Sequence, residues 1–455
     1  MCYSTRPALF TLLVLAVCLA AGCGDRSTNP NEGPPPSGGG HLWSMRFGDG
    51  DVQYSRAVAV DAWGNTIIVG DFNGSVDFGG GALTSAGWDD IFVAKLDPNG
   101  AHLWSKRFGD GNRQSAVAVA VDASGNIFVT GCFMGHLDLG AGALVSAGDY
   151  DAYFVKFSPD GAHLWSRKAG DAYYQCGTAV AVDAYGNVIF AYDRGGAVAG
   201  VYKTYINKYD PSGTAIWLRS YTASDYQYAE GLAVDSSGAV ILTGSFAGTA
   251  SFGCGPLVCA GPVDVYVAKI EPDASCIWSS RFGDTSDQRA KAVAVDATGN
   301  VIITGFFYGG VDFGGGALLS AGAGDVFIAS FSTDGAHRWS KRFGDGSNQR
   351  ANAVAVDVSG NSIVAGFYEG SVDFGGGPLM SAGGNDIFLA KFGRAGAHVW
   401  SKRFGDGSNQ IAHAIAVDAS GNVIVTGIFW GTVDFGGGPL TSAGEADIFV
   451  AKFKP

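Results

Sequence analysis

At 455 residues the chain is long enough for two or three domains, and 47% hydrophobic against 16% charged residues allows a large buried core. Its 71 glycines fall in clusters between apolar runs, which is the pattern of turns rather than of collagen or a disordered chain. A formal net charge of −13 argues against a nucleic-acid partner, because reading phosphates needs a basic surface.

The first element in chain order is a processing segment. Arg6 precedes the apolar run Ala8–Ala21. That run is shorter than the ~20 residues a spanning helix needs, but it fits a signal-peptide core. It ends in Leu19-Ala20-Ala21-Gly22-Cys23, which resembles a bacterial lipoprotein signal, although Ala20 stands where Leu is usual. The resemblance implies removal of residues 1–22, lipidation of Cys23 and a membrane-anchored protein exported to the cell envelope. Residues 24–40, GDRSTNPNEGPPPSGGG, read as a disordered tether. A coil of this length holds a domain ~20–25 Å from its anchor.

From residue 41 onward a repeat sets the architecture. Trp43, Trp104, Trp165, Trp217, Trp278, Trp339 and Trp400 follow one another at 61 residues, except for 52 between Trp165 and Trp217. A fixed period of this size marks a repeat fold. One repeat reads as follows. AVAVD (Ala57–Asp61) is a small-residue strand, closed by an Asp/Gly turn. NTIIVGDF (Asn65–Phe72) is a β-branched strand. A Gly-rich connection covers Asn73–Asp90, and IFVAKL (Ile91–Leu96), the turn DPNG and HLWSKRF (His102–Phe108) complete the unit. Four short strands per unit, seven times over, predict an all-β, seven-bladed β-propeller with four-stranded blades. The domain opens with a lone Trp strand, His41–Phe47, and ends at Phe453 after three strands of a blade. The N-terminal strand is therefore expected to complete the last blade and remove an open edge. The domains expected are residues 1–22, 23–40 and 41–455.

The phrases GNVIVTG, VDFGGGPLTSAG, DIFVAKF and WSKRFGD resemble the bacterial SBBP family of seven-bladed β-propeller repeats, across essentially all of His41–Phe453. The resemblance implies the fold and an exported setting, and no single reaction. DPNGAHLW (Asp97–Trp104) is also similar to the tryptophan-docking phrase of quinoprotein dehydrogenases, read here as shared packing logic. The vicinal cysteines common in those enzymes are absent, and no cofactor is expected. No CxxC, HExxH, GxSxG or P-loop pattern occurs, and no metal site is expected.

Five cysteines lie in the repeat region: Cys132, Cys176, Cys254, Cys259 and Cys276. Cys254 and Cys259 flank a Gly-Pro turn and form the candidate disulfide in an oxidising setting. The bland alternative is a set of small buried thiols. His41, His102, His163, His337 and His398 share one slot two residues before Trp, on separate outer strands, and cannot share a metal.

Gln53, Gln114, Gln175, Gln227, Gln288, Gln349 and Gln410 recur eight residues before the strand-ending Asp. Their loops and the Gly-rich connections share one face, and the Asp and DPNG turns share the other. The Gln series lines a polar pore or binds a ligand or, more simply, ties each loop to the neighbouring blade by hydrogen bonds to backbone. Symmetry breaks most between Tyr173 and Tyr228, where repeat three also lacks its VDFGGG…LTSAG element. The candidate ligand-binding set is Tyr173, Tyr174, Gln175, Asp193, Arg194, Tyr226, Gln227 and Tyr228, because aromatics on loops over a rigid scaffold suit sugars or peptides. The reading is a non-enzymatic, lipid-anchored binding or scaffold propeller, monomeric, with a glycan or protein ligand on the Gln-loop face. The rivals are a lyase or glycan-degrading propeller, with Asp193 and Arg194 as its weak acid–base candidates, and a purely structural surface protein.

Overall fold

The computed structural model describes residues 38–195 and 202–455; the signal segment, Cys23 and the tether up to residue 37 lie outside the described residues. The described chain is all-β, with seven four-stranded antiparallel sheets and no helix. In blade 1 the strands run Gln53–Val60, Thr66–Phe72, Asp90–Leu96 and His102–Phe108, in that order from the axis outward. Each innermost strand packs on its two neighbours, and the seventh packs on the first, so the ring closes. The two middle strands of each blade are buried nearly throughout, which is why they read as continuous β-branched and aromatic runs.

The N-terminal strand completes blade 7. His41–Phe47 pairs antiparallel with Asp447–Phe453, from His41 opposite Phe453 to Phe47 opposite Ile448. The seam rebuilds the turn that joins third and fourth strands elsewhere. Gly39 N–H donates to Pro455 O at 3.2 Å, and Lys454 N–H donates to Gly40 O at 2.7 Å.

The tryptophan period has a direct cause. Each ring lies on the third-to-fourth-strand turn of the next blade, and the indole N–H of six of the seven donates to a turn carbonyl; Trp400, whose turn is the seam, lies against Gly38 and Gly39. Trp43 bonds Pro98 O at 3.0 Å, Trp104 bonds Pro159 O at 3.1 Å and Trp217 bonds Pro272 O at 2.7 Å. The turn glycine makes room. At Gly213, φ is +83°, and an added Cβ would lie 2.8 Å from the Trp165 ring. A buried lysine runs beside the indole: Lys95 Nζ sits 2.9 Å from Asp61 of its own blade and donates to Pro159 O of the next at 3.1 Å. The period is therefore the spacing of blade-to-blade locks.

Six Gly-rich connections form a small two-stranded ribbon, such as His136–Asp138 with Ala143–Val145. The ribbon caps the core through residues such as Val76 and Phe78. Blade 3 carries no ribbon among its described residues, and residues 196–201 lie outside them.

The cysteine pairing differs from expectation. Cys254 bonds Cys276, not Cys259, and Cys132 bonds Cys176. Cys259 is a free thiol that donates to Gly261 O at 3.2 Å. The reason lies in the repeat. In blade 1 the His102 ring covers Gly80 so closely that an added Cβ would lie 2.1 Å from it. In blade 4 Cys254 stands in that glycine's slot and Cys276 in the histidine's, so the two repeat positions already in contact become the bridge. His41, His337 and His398 pack on the equivalent glycines in the same way, and these three and His102 each pair Nε2 with a Ser hydroxyl three residues on.

Candidate functional site

The asymmetric chemistry gathers where the innermost strands meet around the axis, at the Gln end. In every blade the ladder between first and second strands slips at one residue of the innermost strand. A residue skipped in this way leaves the ladder and turns its side chain aside. The seven skipped residues are Arg56, Val117, Thr178, Glu230, Lys291, Asn352 and His413, a different side chain in every blade. The flanking positions are almost all Ala, Ser or Gly. Three of the seven reach the neighbouring blade: Lys291 Nζ lies 2.7 Å from Glu230, Asn352 donates to Ala412 O at 2.9 Å, and His413 Nδ1–H donates to Ser55 O at 2.8 Å. Arg56 pairs with Asp71 at 2.9 Å. Burial, with Arg56 nearby, pushes the His413 imidazole down to about 4, so it is neutral at ordinary pH.

A second ring lies just above. The penultimate residue of each second strand faces the second residue of the next innermost strand, and here too the chemistry changes from blade to blade. Ser115 Oγ donates to Asp71 at 2.7 Å, Cys132 is bonded to Cys176, and Arg350 lies over the Phe306 ring at 4.4 Å.

Around this mouth the tyrosines form a chain. Tyr150 and Tyr174 meet at 5.6 Å between ring centroids, Tyr202 lies 5.8 Å from Tyr226 and 5.7 Å from Tyr228, and Tyr226 meets Tyr228 at 4.5 Å. A 460 Å³ cavity lined by Arg56, Asp71, Arg113, Tyr150 and Tyr174 adjoins a 420 Å³ cavity lined by Asp149, Tyr173, Tyr174, Tyr202 and Tyr228. Tyr174 borders both, so the two cavities adjoin in a groove-like run of the mouth from blade 1 to blade 4. A further cavity, of 400 Å³, lies on the opposite face at the seam among turn residues such as Pro98 and Asp418, away from the asymmetric rings.

The predicted residues divide. Tyr173, Tyr174 and Tyr228 line the groove, and Tyr226 stacks behind them with its hydroxyl accepting from Arg289 at 3.0 Å. Gln175 and Gln227 are buried. The Gln series is structural: Gln53 Nε2 donates to Asp49 and to Asn73 O, and its backbone N–H donates to Ala446 O of blade 7. Gln227 departs from this, because Ala223 stands where the other loops have Asp, and among the described residues neither amide atom has a partner. Asp193 and Arg194 do not form an acid–base pair, because successive residues of a strand point to opposite faces. Arg194 pairs with Asp171 at 2.7 Å and lies over Tyr173 at 4.9 Å, at a separate 150 Å³ cavity. Asp193 is buried, accepting from Thr204 Oγ1 at 2.6 Å and from Ala229 N–H at 3.0 Å. The skipped ring escaped sequence reading, yet it carried a signal: one slot that varies in all seven repeats inside the most regular strand.

Burial pushes the Asp193 carboxyl up to about 8, against its two hydrogen bonds and with Glu230 adding to the rise. Its unfolded value is ~4. Between those values the folded state keeps a proton that the unfolded chain has lost. Stability therefore falls as pH rises, by up to ~1.4 kcal/mol per unit. Asp193→Asn is expected to stabilise the protein by ~2 kcal/mol or more at pH 8.5 and far less at pH 5. Urea unfolding of both proteins at both pH values checks this, and an equal difference at the two would refute the buried proton. Among the described residues no group of three or more His, Cys, Asp or Glu converges as metal ligands do.

No protein-family model matches the chain. An uncharacterized WD repeat-containing protein of Acanthamoeba polyphaga mimivirus is 21% identical over 85% of this chain, which spans 36% of that relative's length. Similar solved structures include the polysaccharide lyase Uly1, with 8% identity, a TM-score of 0.49, and coverage of 91% of this chain and 99% of the other. A mutant apocarotenoid oxygenase of Synechocystis has 10% identity, a TM-score of 0.42, and coverage of 90% and 93%. At these values neither an activity nor a ligand carries over to this chain.

Proposed function

We propose that the protein is a non-enzymatic binding or scaffold propeller, lipid-anchored at Cys23 in a bacterial cell envelope, whose ligand lies in the tyrosine-lined groove on the Gln face. The observation that carries this reading is the location of the asymmetry. The blade-to-blade locks, the Asp turns and the Gln ties repeat round the ring, as structural positions do. The skipped ring, the ring above it and the tyrosine chain do not repeat, and they adjoin one groove. Tyr173 and Tyr174 are 38% and 41% exposed beside the half-buried Tyr150, Tyr202 and Tyr228. Such rings offer flat apolar faces and hydroxyl rims, which suits sugar rings. The anchor rests on the resemblance of Leu19–Cys23 to a lipoprotein signal. Gly38–Gly40 lies on the Asp-turn face, opposite the groove.

Glycan and peptide arrays probed with the wild type, Tyr174→Ala and Tyr228→Ala test the site. The expected result is a glycan signal reduced at least ~10-fold by either substitution, each removing a stacking face worth ~1 kcal/mol or more together with its hydroxyl. A signal unchanged by both would remove the groove from the reading.

A further inference from the structure

We infer that the groove takes an acidic glycan, with Arg289 of blade 5 and Arg350 of blade 6 reading a uronate carboxylate beside the tyrosine chain. The inference rests on the binding reading above and adds the charge of the ligand.

Cations gather at the mouth of a protein that is acidic as a whole, beside the groove carboxylates Asp71, Asp89 and Asp149. The chain as a whole carries −13. At the axial mouth stand four cations, Arg56, Lys291, Arg289 and Arg350. Arg56 and Lys291 are matched by Asp71 and Glu230. Arg289 and Arg350 occupy the same slot on adjacent innermost strands, the slot that holds Ser115 and Cys176 in blades 2 and 3.

Arg350 is the informative residue. At the junction of blades 1 and 2, the position facing this slot is Asp71. At the junction of blades 5 and 6 it is Phe306, and the guanidinium carbon lies over that ring, 4.4 Å from its centroid. Among the described residues no carboxylate lies within salt-bridge distance of Arg350, and its Nε is buried without a hydrogen-bond partner. Its one polar contact is a 3.4 Å donation to the Tyr308 hydroxyl. Arg289 is only loosely matched, 3.6 Å from Asp287, and donates to the Tyr226 hydroxyl at 3.0 Å. A guanidinium fixed by an aromatic face keeps its N–H edge free, and that edge matches a carboxylate in a bidentate pair.

The adjoining aromatics decide between glycan and peptide. Tyr226 accepts from Arg289 and packs on Tyr228 and Tyr202, so Arg289 adjoins the groove, and Arg350 lies one blade further round the mouth, over Phe306. Open tyrosine faces with hydroxyl rims fit the alternation of apolar face and polar edge along a sugar chain. Acidic peptides would use the arginines and leave those faces without a role.

The test is calorimetric titration of the protein with galacturonate and mannuronate hexamers, with their methyl esters, and with a glutamate hexapeptide. The expected result is that one acidic hexamer binds at least ~10-fold tighter than its ester, a factor worth 1.4 kcal/mol. Arg350→Gln and Arg289→Gln should each remove most of that difference, weaken binding of the acid far more than of the ester, and flatten the salt dependence. Melting curves confirm that the variants fold. Equal binding of acid and ester, with loss on Tyr228→Ala, would overturn the charge inference and leave the binding reading standing. Binding of the hexapeptide alone would overturn the glycan assignment. Binding of none of the probes would overturn both.

Discussion

Removal of residues 41–47 is expected to abolish the folded ring. The strand supplies the outer edge of blade 7, and Phe47 is buried against Phe78 of blade 1 at 4.9 Å. Losing a buried Phe alone costs ~3–5 kcal/mol. Arg46 pairs with Asp447 at 2.7 Å, and that carboxylate is fully buried. Leaving it unpaired costs another ~3–5 kcal/mol. Trp43 also locks blade 7 to blade 1 through Pro98. These losses reach the ~5–15 kcal/mol of net stability of a typical protein, and they uncover the edge of Asp447–Phe453. Protein beginning at residue 48 should be insoluble or aggregated on size exclusion. A monomer that still melts cooperatively would sink the clasp.

The second large effect is expected at the buried ion pair of a blade-to-blade lock. Asp418 accepts from Ser420 N–H, Asn422 N–H and Asn422 Nδ2, and lies 2.9 Å from Lys452 Nζ. Burial alone would raise its carboxyl, but the bonds from Asn422 and Lys452 hold it below the usual range. Asp418→Ala leaves Lys452, 4% exposed, with only Pro98 O at 3.3 Å. The expected cost is ~3–5 kcal/mol. Lys452→Met should cost far less, ~1 kcal/mol, because Asp418 keeps its turn hydrogen bonds. Blade 5 already lives without the lysine: Ser330 stands in that slot, and Asp296 is held by Thr298 and Asn300. Denaturant midpoints of the two variants decide it, and equal losses would mean that the ion pair, not the aspartate's turn hydrogen bonds, carries the stability.

Much of this was legible in the chain because it repeats. The tryptophans, the Asp turns and the Gln loops announce themselves by recurrence, and recurrence marks contacts that every blade must make. Strand types, their order from the axis and the clasp at His41–Phe47 followed from that logic. Two features did not. The pairing of Cys254 with Cys276 depends on a contact between positions 22 residues apart, visible only once His102 is seen lying on Gly80. The skipped residues depend on a slip in strand register, which alternation of residue types does not show.

The sequence by itself determined a closed seven-bladed ring and its two faces, because both depend on local strand and turn chemistry repeated at a fixed interval. Only the tertiary structure decided which residues meet at the axis. Arg56, Glu230, Lys291 and His413 lie in different blades, far apart in the chain, and each is one ordinary polar residue within its own repeat. Closing the ring sets seven innermost strands side by side, and the register slip turns those residues out of their sheets. The site is a property of the closure, so no single repeat contains it.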